Sequence, residues 1–238
     1  MMSRQSVQVS TVRSTGIWSI CFLATLCMFL VSSCGGGGGG DTSSPAPPPA
    51  SSTLFTMSDT DSVTLVRVSG TTITAHNVDL GVQEVYSGSS TLSGNAFTVD
   101  FSLYPAGGVT LFSATGSIDA TGNTITATVT ELGVTSPPVT LTKTTSSLAG
   151  GYYGTYSGSA SGTFVAGIDG SGIMRGFDGN DTDGWTSFST TLSGSTFSAT
   201  QSDGTQFSGS VSGTAVSGNW TNPGPPNQSG AFNGPKVF

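Results

Sequence analysis

Residues 91–100 read TLSGNAFTVD and residues 191–200 read TLSGSTFSAT. Each copy is a Ser-Gly turn signal followed by alternating apolar and polar residues, Phe97-Thr98-Val99-Asp100-Phe101 in the first and Phe197-Ser198-Ala199-Thr200 in the second. A side-chain period of two is the mark of a half-buried β-strand. The same alternation recurs in Thr124-Ile125-Thr126-Ala127-Thr128-Val129-Thr130 and in Phe164-Val165-Ala166-Gly167-Ile168, with one face apolar and the other mostly hydroxyl, acidic or small. Turn residues separate such segments roughly every 8 to 12 positions. Gly94-Asn95, Thr121-Gly122-Asn123, Asp169-Gly170-Ser171-Gly172, Asp203-Gly204 and Gly218-Asn219 are examples. Tight turns of this kind join antiparallel neighbours, so the expected fold is an all-β antiparallel meander.

Composition points the same way. The 238 residues include 35 Gly and 11 Pro, with 8% charged and 9% aromatic side chains, and Ser, Thr and Gly displace the good helix formers. Low charge combined with regularly spaced apolar residues is not the composition of a disordered chain. The echo at Thr91 and Thr191 suggests tandem copies, with a boundary in Ser146-Ser147-Leu148-Ala149-Gly150. Residues 53–147 and 148–238 each offer about eight short strands in about 90 residues, the size of a small closed barrel or compact sandwich. Two modest cores or one shared core are both within reach of this length. Phe97, Phe101, Phe164, Phe197 and Phe207 read as core.

Arg4 and Arg13 precede an apolar run from Gly16 to Val31, then Ser32-Ser33-Cys34. That order is the basic, hydrophobic and small-residue pattern of a secretory signal, spanning residues 1–33. Six glycines follow instead of a basic stop-transfer cluster, which favours cleavage over a membrane span. Val31-Ser32-Ser33-Cys34 resembles the lipobox of bacterial lipoproteins. The resemblance implies cleavage before Cys34, a diacylglyceryl group on its thiol, acylation of the new amino group and, with Gly35 at the second mature position, residence in the outer membrane. Several acyl chains at about 0.8 kcal/mol per buried CH₂ would make the attachment effectively permanent. Cys21 and Cys27 leave with the leader, so the mature chain has no partner for a disulfide.

Residues 34–52 then form a Gly- and Pro-rich tether, flexible in its glycine half and stiffer through PAPPPA. Treated as a coil, Gly35 to Ser52 would hold the folded part about 20–25 Å from the membrane. The periplasmic and surface-exposed orientations both remain open. Without its leader the chain keeps four basic residues against thirteen acidic ones, a formal charge of −9. Nucleic acid is excluded as a partner by that balance.

The stretch GGYYGTYSGSASGTFVAGIDGSGIMRG, residues 150–176, resembles the opening meander of avidin-like and lipocalin-like barrels. Phe97-Thr98-Val99-Asp100-Phe101 with its following Gly-rich hairpin is similar to the barrel domains of transferrin-binding surface lipoproteins. These resemblances imply a small barrel architecture. Tyr152 or Tyr153 stands where the avidin and lipocalin patterns have Trp, so no ligand follows from them.

Catalytic groups are scarce. The single His, His76 in Thr72-Ile73-Thr74-Ala75-His76, is expected on the wet face of a strand. No Gly-x-Ser-x-Gly elbow occurs, and no paired His or Cys could hold zinc. The acidic stretch Asp178-Gly179-Asn180-Asp181-Thr182-Asp183-Gly184 is read as a hairpin tip after a strand ending at Phe177. Asp178, Asn180, Asp181 and Asp183 offer Ca²⁺ oxygen ligands as the alternative to a plain turn. No other cofactor is implied. Tyr152, Tyr153, Tyr156, Trp185 and Trp220 are candidate ligand-binding aromatics, because amphipathic rings favour mouths and interfaces. The Thr124, Thr126, Thr128 and Thr130 ladder reads as a soluble outer face. The expected function is a lipid-anchored, non-catalytic binding module of the outer membrane with an unknown protein or glycan partner. The alternative is a structural envelope lipoprotein without a discrete ligand.

Overall fold

In the computed structural model of the chain, residues 51–180 and 184–238 are described, and every secondary-structure element among them is a β-strand. The first nine are β1 (Ser52–Ser58), β2 (Ser62–Ser69), β3 (Thr72–Asp79), β4 (Glu84–Thr91), β5 (Ala96–Leu103), β6 (Phe112–Ile118), β7 (Thr124–Glu131), β8 (Val134–Thr135) and β9 (Val139–Thr144). Strands β1 to β7 pair antiparallel in chain order, and β9 pairs with both β7 and β1. The sheet therefore closes as an eight-stranded barrel, with β8 a two-residue arm on β7.

The remaining strands are β10 (Gly150–Gly158), β11 (Gly162–Ile168), β12 (Ile173–Asn180), β13 (Gly184–Thr191), β14 (Thr196–Thr200), β15 (Gln206–Val211), β16 (Ala215–Asn222) and β17 (Gln228–Pro235). They pair in the order β13-β12-β11-β10-β17-β16-β15-β14. This second barrel is nearly closed: β13 and β14 meet without a ladder, joined by side chains. Thr190 Oγ1 donates to Ser198 O at 2.6 Å, and Gln201 Nε2 donates to Thr186 O at 3.1 Å. The corresponding seam of the first barrel, β4 to β5, is zipped only at Tyr86–Leu103 and Ser87–Ser102.

The sequence echo has a structural counterpart. Ser93 and Ala96 exchange backbone hydrogen bonds of 2.8 and 3.1 Å around Gly94-Asn95, and Ser193 and Thr196 do the same with the same lengths around Gly194-Ser195. Gly94 and Gly194 have φ of 66° and 62°, a left-handed conformation that glycine adopts at no steric cost.

Alternation along each strand sends one set of residues into its barrel. Phe55, Val66, Ile73, Phe97, Phe101, Ile125 and Leu141 fill the first interior, while Tyr152, Phe164, Phe188, Phe207, Trp220 and Phe232 fill the second. The two interiors are separate cores. A third apolar layer lies between the barrels, where Val63 and Leu65 on β2, Val78 on β3 and Val85 on β4 are covered by Val165, Phe177 and Phe238. Strand β2 is thus buried on both faces. Across this contact Ser58 Oγ donates to Asp169 Oδ2 at 2.7 Å and Gly170 N donates to Thr56 Oγ1 at 2.8 Å.

The wet-face expectation for His76 is overturned here. The outward face of β3 is covered, so His76 is 5% exposed, stacked on Phe238 at 5.1 Å and edge-on to Tyr104 at 4.7 Å. Burial, with a smaller contribution from the Arg67 charge, lowers its pKa to about 4.

Candidate functional site: the hollow first barrel

The two interiors differ in volume at matched positions. Phe97 pairs with Gly116 and Gly116 with Ala127 in the first barrel, whereas Phe197 pairs with Gly209 and Gly209 with Gly218 in the second. Carried along the ladders, this register sets Phe207, Trp220 and Phe232 against Ala114, Val129 and Val139. On the other side of each barrel it sets Phe164 and Phe188 against Thr64 and Gly88. Five large aromatics in one barrel are matched by five smaller residues in the other, while toward the acidic end Phe101 and Phe112 are matched by Gln201 and Thr205. At these positions the second interior is packed with rings 5.3–6.0 Å from one another, and its open space, about 320 Å³, lies at one end and is lined mostly by polar residues. The first encloses a cavity of about 310 Å³, at the lower end of the range for small-molecule sites.

Apolar residues line most of that cavity, including Val66, Ala75, Val99, Ala114, Ile125, Ala127 and Leu141. Polar groups gather at one end, reached by the C-terminal ends of β3 and β7 and the start of β4. Asp79 and Glu131 line the wall there, Asn77 Nδ2 donates to Thr64 Oγ1 at 2.9 Å, and the Tyr86 hydroxyl donates to Glu84. Burial pushes the Tyr86 phenol well above its ordinary pKa, and Glu84, Asp79 and Glu131 push it further. Among the described residues this lining carries no basic side chain. The loops around the same end carry Val82, Val109, Leu111, Leu132 and Val134, all exposed, with Leu132 at 95%. The mouth is therefore acidic within and apolar at its rim.

The residues singled out from sequence are dispersed. Tyr152 is in the second core, its hydroxyl within hydrogen-bond reach of Leu148 O and Ser212 O at 2.8 and 3.2 Å, and burial raises its pKa to about 12. Tyr156 and Trp220 sit edge-on at 5.8 Å in the same core, and Trp220 Nε1 donates to Ser157 O. Tyr153 faces the other barrel beside Tyr104. Trp185 is partly exposed against Phe177. These five share no common surface.

In the acidic stretch the strand runs past its expected end at Phe177. Strand β12 continues to Asn180 and pairs with β13 through Asn180–Gly184. Asp178 points into the second barrel, where Gln201 Nε2 donates to it and burial raises its pKa to about 6, partly offset by that bond. It lines a polar hollow of about 320 Å³ with Tyr156, Gln201, Asp203, Asn222 and Gln228. Asn180 Nδ2 donates to Ser161 O at 3.3 Å. Asp181 and Asp183, like Cys34 and all but the last two residues of the tether, lie outside the described residues. Among the described residues no three His, Cys, Asp or Glu side chains gather as a metal site.

The cavity was not singled out from the sequence, yet a signal for it exists. Residues 53–147 hold six aromatic residues and residues 148–238 hold twelve, so one of two similar barrels has to be packed with smaller side chains. No protein-family model matches the chain, and no curated protein compared with it is similar.

Proposed function

We propose that the protein is a lipid-anchored, non-catalytic binding module of the outer membrane whose first barrel takes up a small apolar molecule with a cationic or hydrogen-bond-donating head. The observation that carries this reading is the apolar cavity of about 310 Å³ in one barrel, at positions that aromatic rings fill in its structural twin. An apolar wall favours an apolar body. Asp79, Glu84 and Glu131 around Tyr86 favour a positive head and oppose a carboxylate. The second barrel serves as the scaffold against which the first is held through Val63, Val78, Val165 and Phe177. The acyl anchor rests on the lipobox resemblance at Val31-Ser32-Ser33-Cys34.

The test is calorimetric titration of the full chain, reconstituted through its anchor in phosphatidylcholine nanodiscs, with empty nanodiscs subtracted. 2-Naphthylethylamine and 2-naphthylacetate share an apolar body and differ in head charge. Saturable binding of the amine, weakened by Glu131→Gln, supports the reading. Equal affinity for both ligands, or binding indistinguishable from the empty nanodisc, overturns it.

A further inference from the structure

Residues 51–238 contain four basic side chains, Arg67, Lys143, Arg175 and Lys236, and three of them line one hollow. The hollow lies at the end of the first barrel where the chain enters β1, opposite the acidic mouth. Register explains the gathering. Leu54 pairs with Arg67 on one side and Thr144 on the other, Lys143 pairs with Phe55, and Lys236 follows β17 at the bridge to Tyr152. The space amounts to about 360 Å³, and the hydroxyl residues Ser52, Thr53, Thr145 and Ser146 complete it. Among the described residues no carboxylate lines it.

Two of the three cations are held in place. The Arg67 guanidinium lies 4.8 Å over the Phe238 ring, and Lys236 Nζ donates to Ser147 O at 3.0 Å, leaving its other protons free to donate. Burial, with a smaller contribution from the neighbouring Arg67 charge, lowers the Lys236 pKa. Asp119, in the β6–β7 turn at the same end, is occupied by its own turn. It accepts from Thr121 Oγ1 at 2.6 Å and from the N–H groups of Asn123 and Thr124 at 2.8 and 3.1 Å. The carboxylates Asp59, Asp61, Asp79, Glu84 and Glu131 all sit at the opposite end, in or beside the β1–β2 and β3–β4 turns and at the end of β7. With Asp100 midway along β5, the carboxylates of the first barrel other than Asp119 lie away from the basic end.

We propose that this hollow binds the phosphate of an anionic lipid headgroup, seating the basic end of the first barrel on the membrane and turning the acidic mouth away from it. The phosphate site stands on Arg67, Lys143 and Lys236 alone. Its orientation toward the membrane rests on the proposed anchor, because the 18 residues from Gly35 to Ser52 deliver the chain to this end. A guanidinium and two ammonium groups supply directional and point-charge contacts to one phosphate.

The experiment titrates the full chain in zwitterionic phosphatidylcholine nanodiscs with dihexanoyl phosphatidate, dihexanoyl phosphatidylcholine and inorganic phosphate, by calorimetry. Saturable binding of the phosphatidate is expected, with little for the phosphatidylcholine. Arg67→Gln, Lys143→Gln and Lys236→Gln should each weaken it about fivefold, and the triple variant about a hundredfold. Arg175→Gln, in the second barrel, should leave it unchanged, and circular dichroism checks that every variant keeps its β spectrum. Phosphatidate affinity that the triple variant does not change overturns the site. Inorganic phosphate binding as tightly as the phosphatidate overturns the headgroup assignment and leaves a free-phosphate site. Neither failure touches the apolar cavity, whose ligands are titrated separately.

Discussion

Ala114→Phe and Phe207→Ala exchange the side chains at one matched position of the two barrels, and they should move stability in opposite directions. Phe207 is 5% exposed, stacks on Phe188 at 5.6 Å and meets Phe232 edge-on at 5.8 Å. Removing its ring opens roughly 100 Å³ in a close-packed interior, which at about 24 cal/mol per Å³ costs about 2.4 kcal/mol beyond the lost transfer energy. The sum falls in the range of about 3–5 kcal/mol typical of buried Phe→Ala changes. Ala114 borders the cavity, so a phenyl ring there enters existing space. It would bury about 100 Å² of apolar surface, worth about 2.5 kcal/mol gross. Lost rotamer freedom and imperfect fit reduce that to about 1–2 kcal/mol net. Thermal unfolding of the reconstituted chain by intrinsic fluorescence is the assay. At about 2–4 °C per kcal/mol, Phe207→Ala should lower the midpoint by about 6–20 °C and Ala114→Phe should raise it by about 2–8 °C. A midpoint lowered by Ala114→Phe would mean that the first barrel is already full, and the volume argument would fail.

Two buried titrating groups give opposite pH dependences. His76 takes up its proton at about 4 in the folded chain and at the ordinary 6.5 when unfolded, so acidification from 6.5 to 4 favours the unfolded state, by about 3 kcal/mol in all. Asp178 behaves in reverse: its folded pKa of about 6 exceeds the ordinary 3.8, so stability grows as pH falls from 6 to 3.8. Its partial exposure discounts the effect to about 2 kcal/mol. Between pH 4 and 6 the two nearly cancel. Urea midpoints of the wild type should change little there, those of His76→Gln should rise on acidification, and those of Asp178→Asn should fall. Asp178→Asn should also stabilise the protein at pH 8, since it removes a buried charge while keeping an acceptor for Gln201; a loss of stability at that pH contradicts the assignment.

Much of the architecture was written in local pattern. The alternation through Phe97–Phe101 and Thr124–Thr130, and the Ser-Gly turns of the echo, specify strands and hairpins because side-chain period and turn chemistry are local properties. The outer face of β7 carries the expected threonines, of which Thr126 and Thr130 are exposed. What the pattern does not carry is volume. Ala114 and Phe207 occupy the same place in the alternation and both read as inward, yet one borders a cavity and the other fills a core. Nor does it carry the partner of an outward face. His76 follows hydroxyl-bearing Thr72 and Thr74 on that face, and only the distant Tyr104 and Phe238 rings folded over it make it an interior residue. Strand β2 did offer a clue, since Val63, Leu65, Val66 and Val68 break strict alternation in the way strands covered on both faces do. Asp178 misled for a related reason: Asp and Asn favour turns, but tertiary contact with Gln201 and Asn180–Gly184 pairing draw them into a strand.

The central claim, an apolar cavity in the first barrel at positions that aromatic rings fill in the second, is tested most directly by site-resolved methyl NMR. Alanine- and isoleucine-labelled full chain in phosphatidylcholine nanodiscs would be titrated with toluene, an apolar probe small enough for a cavity of about 310 Å³. Ala75, Ala114, Ala127 and Ile125 line the cavity, while Ala166, Ala199 and Ile168 belong to the filled interior. The account predicts saturable shifts for the first group, no shifts for the second, and their loss in Ala114→Phe. Shifts spread equally over both groups, or none in the first at saturating toluene, would contradict it.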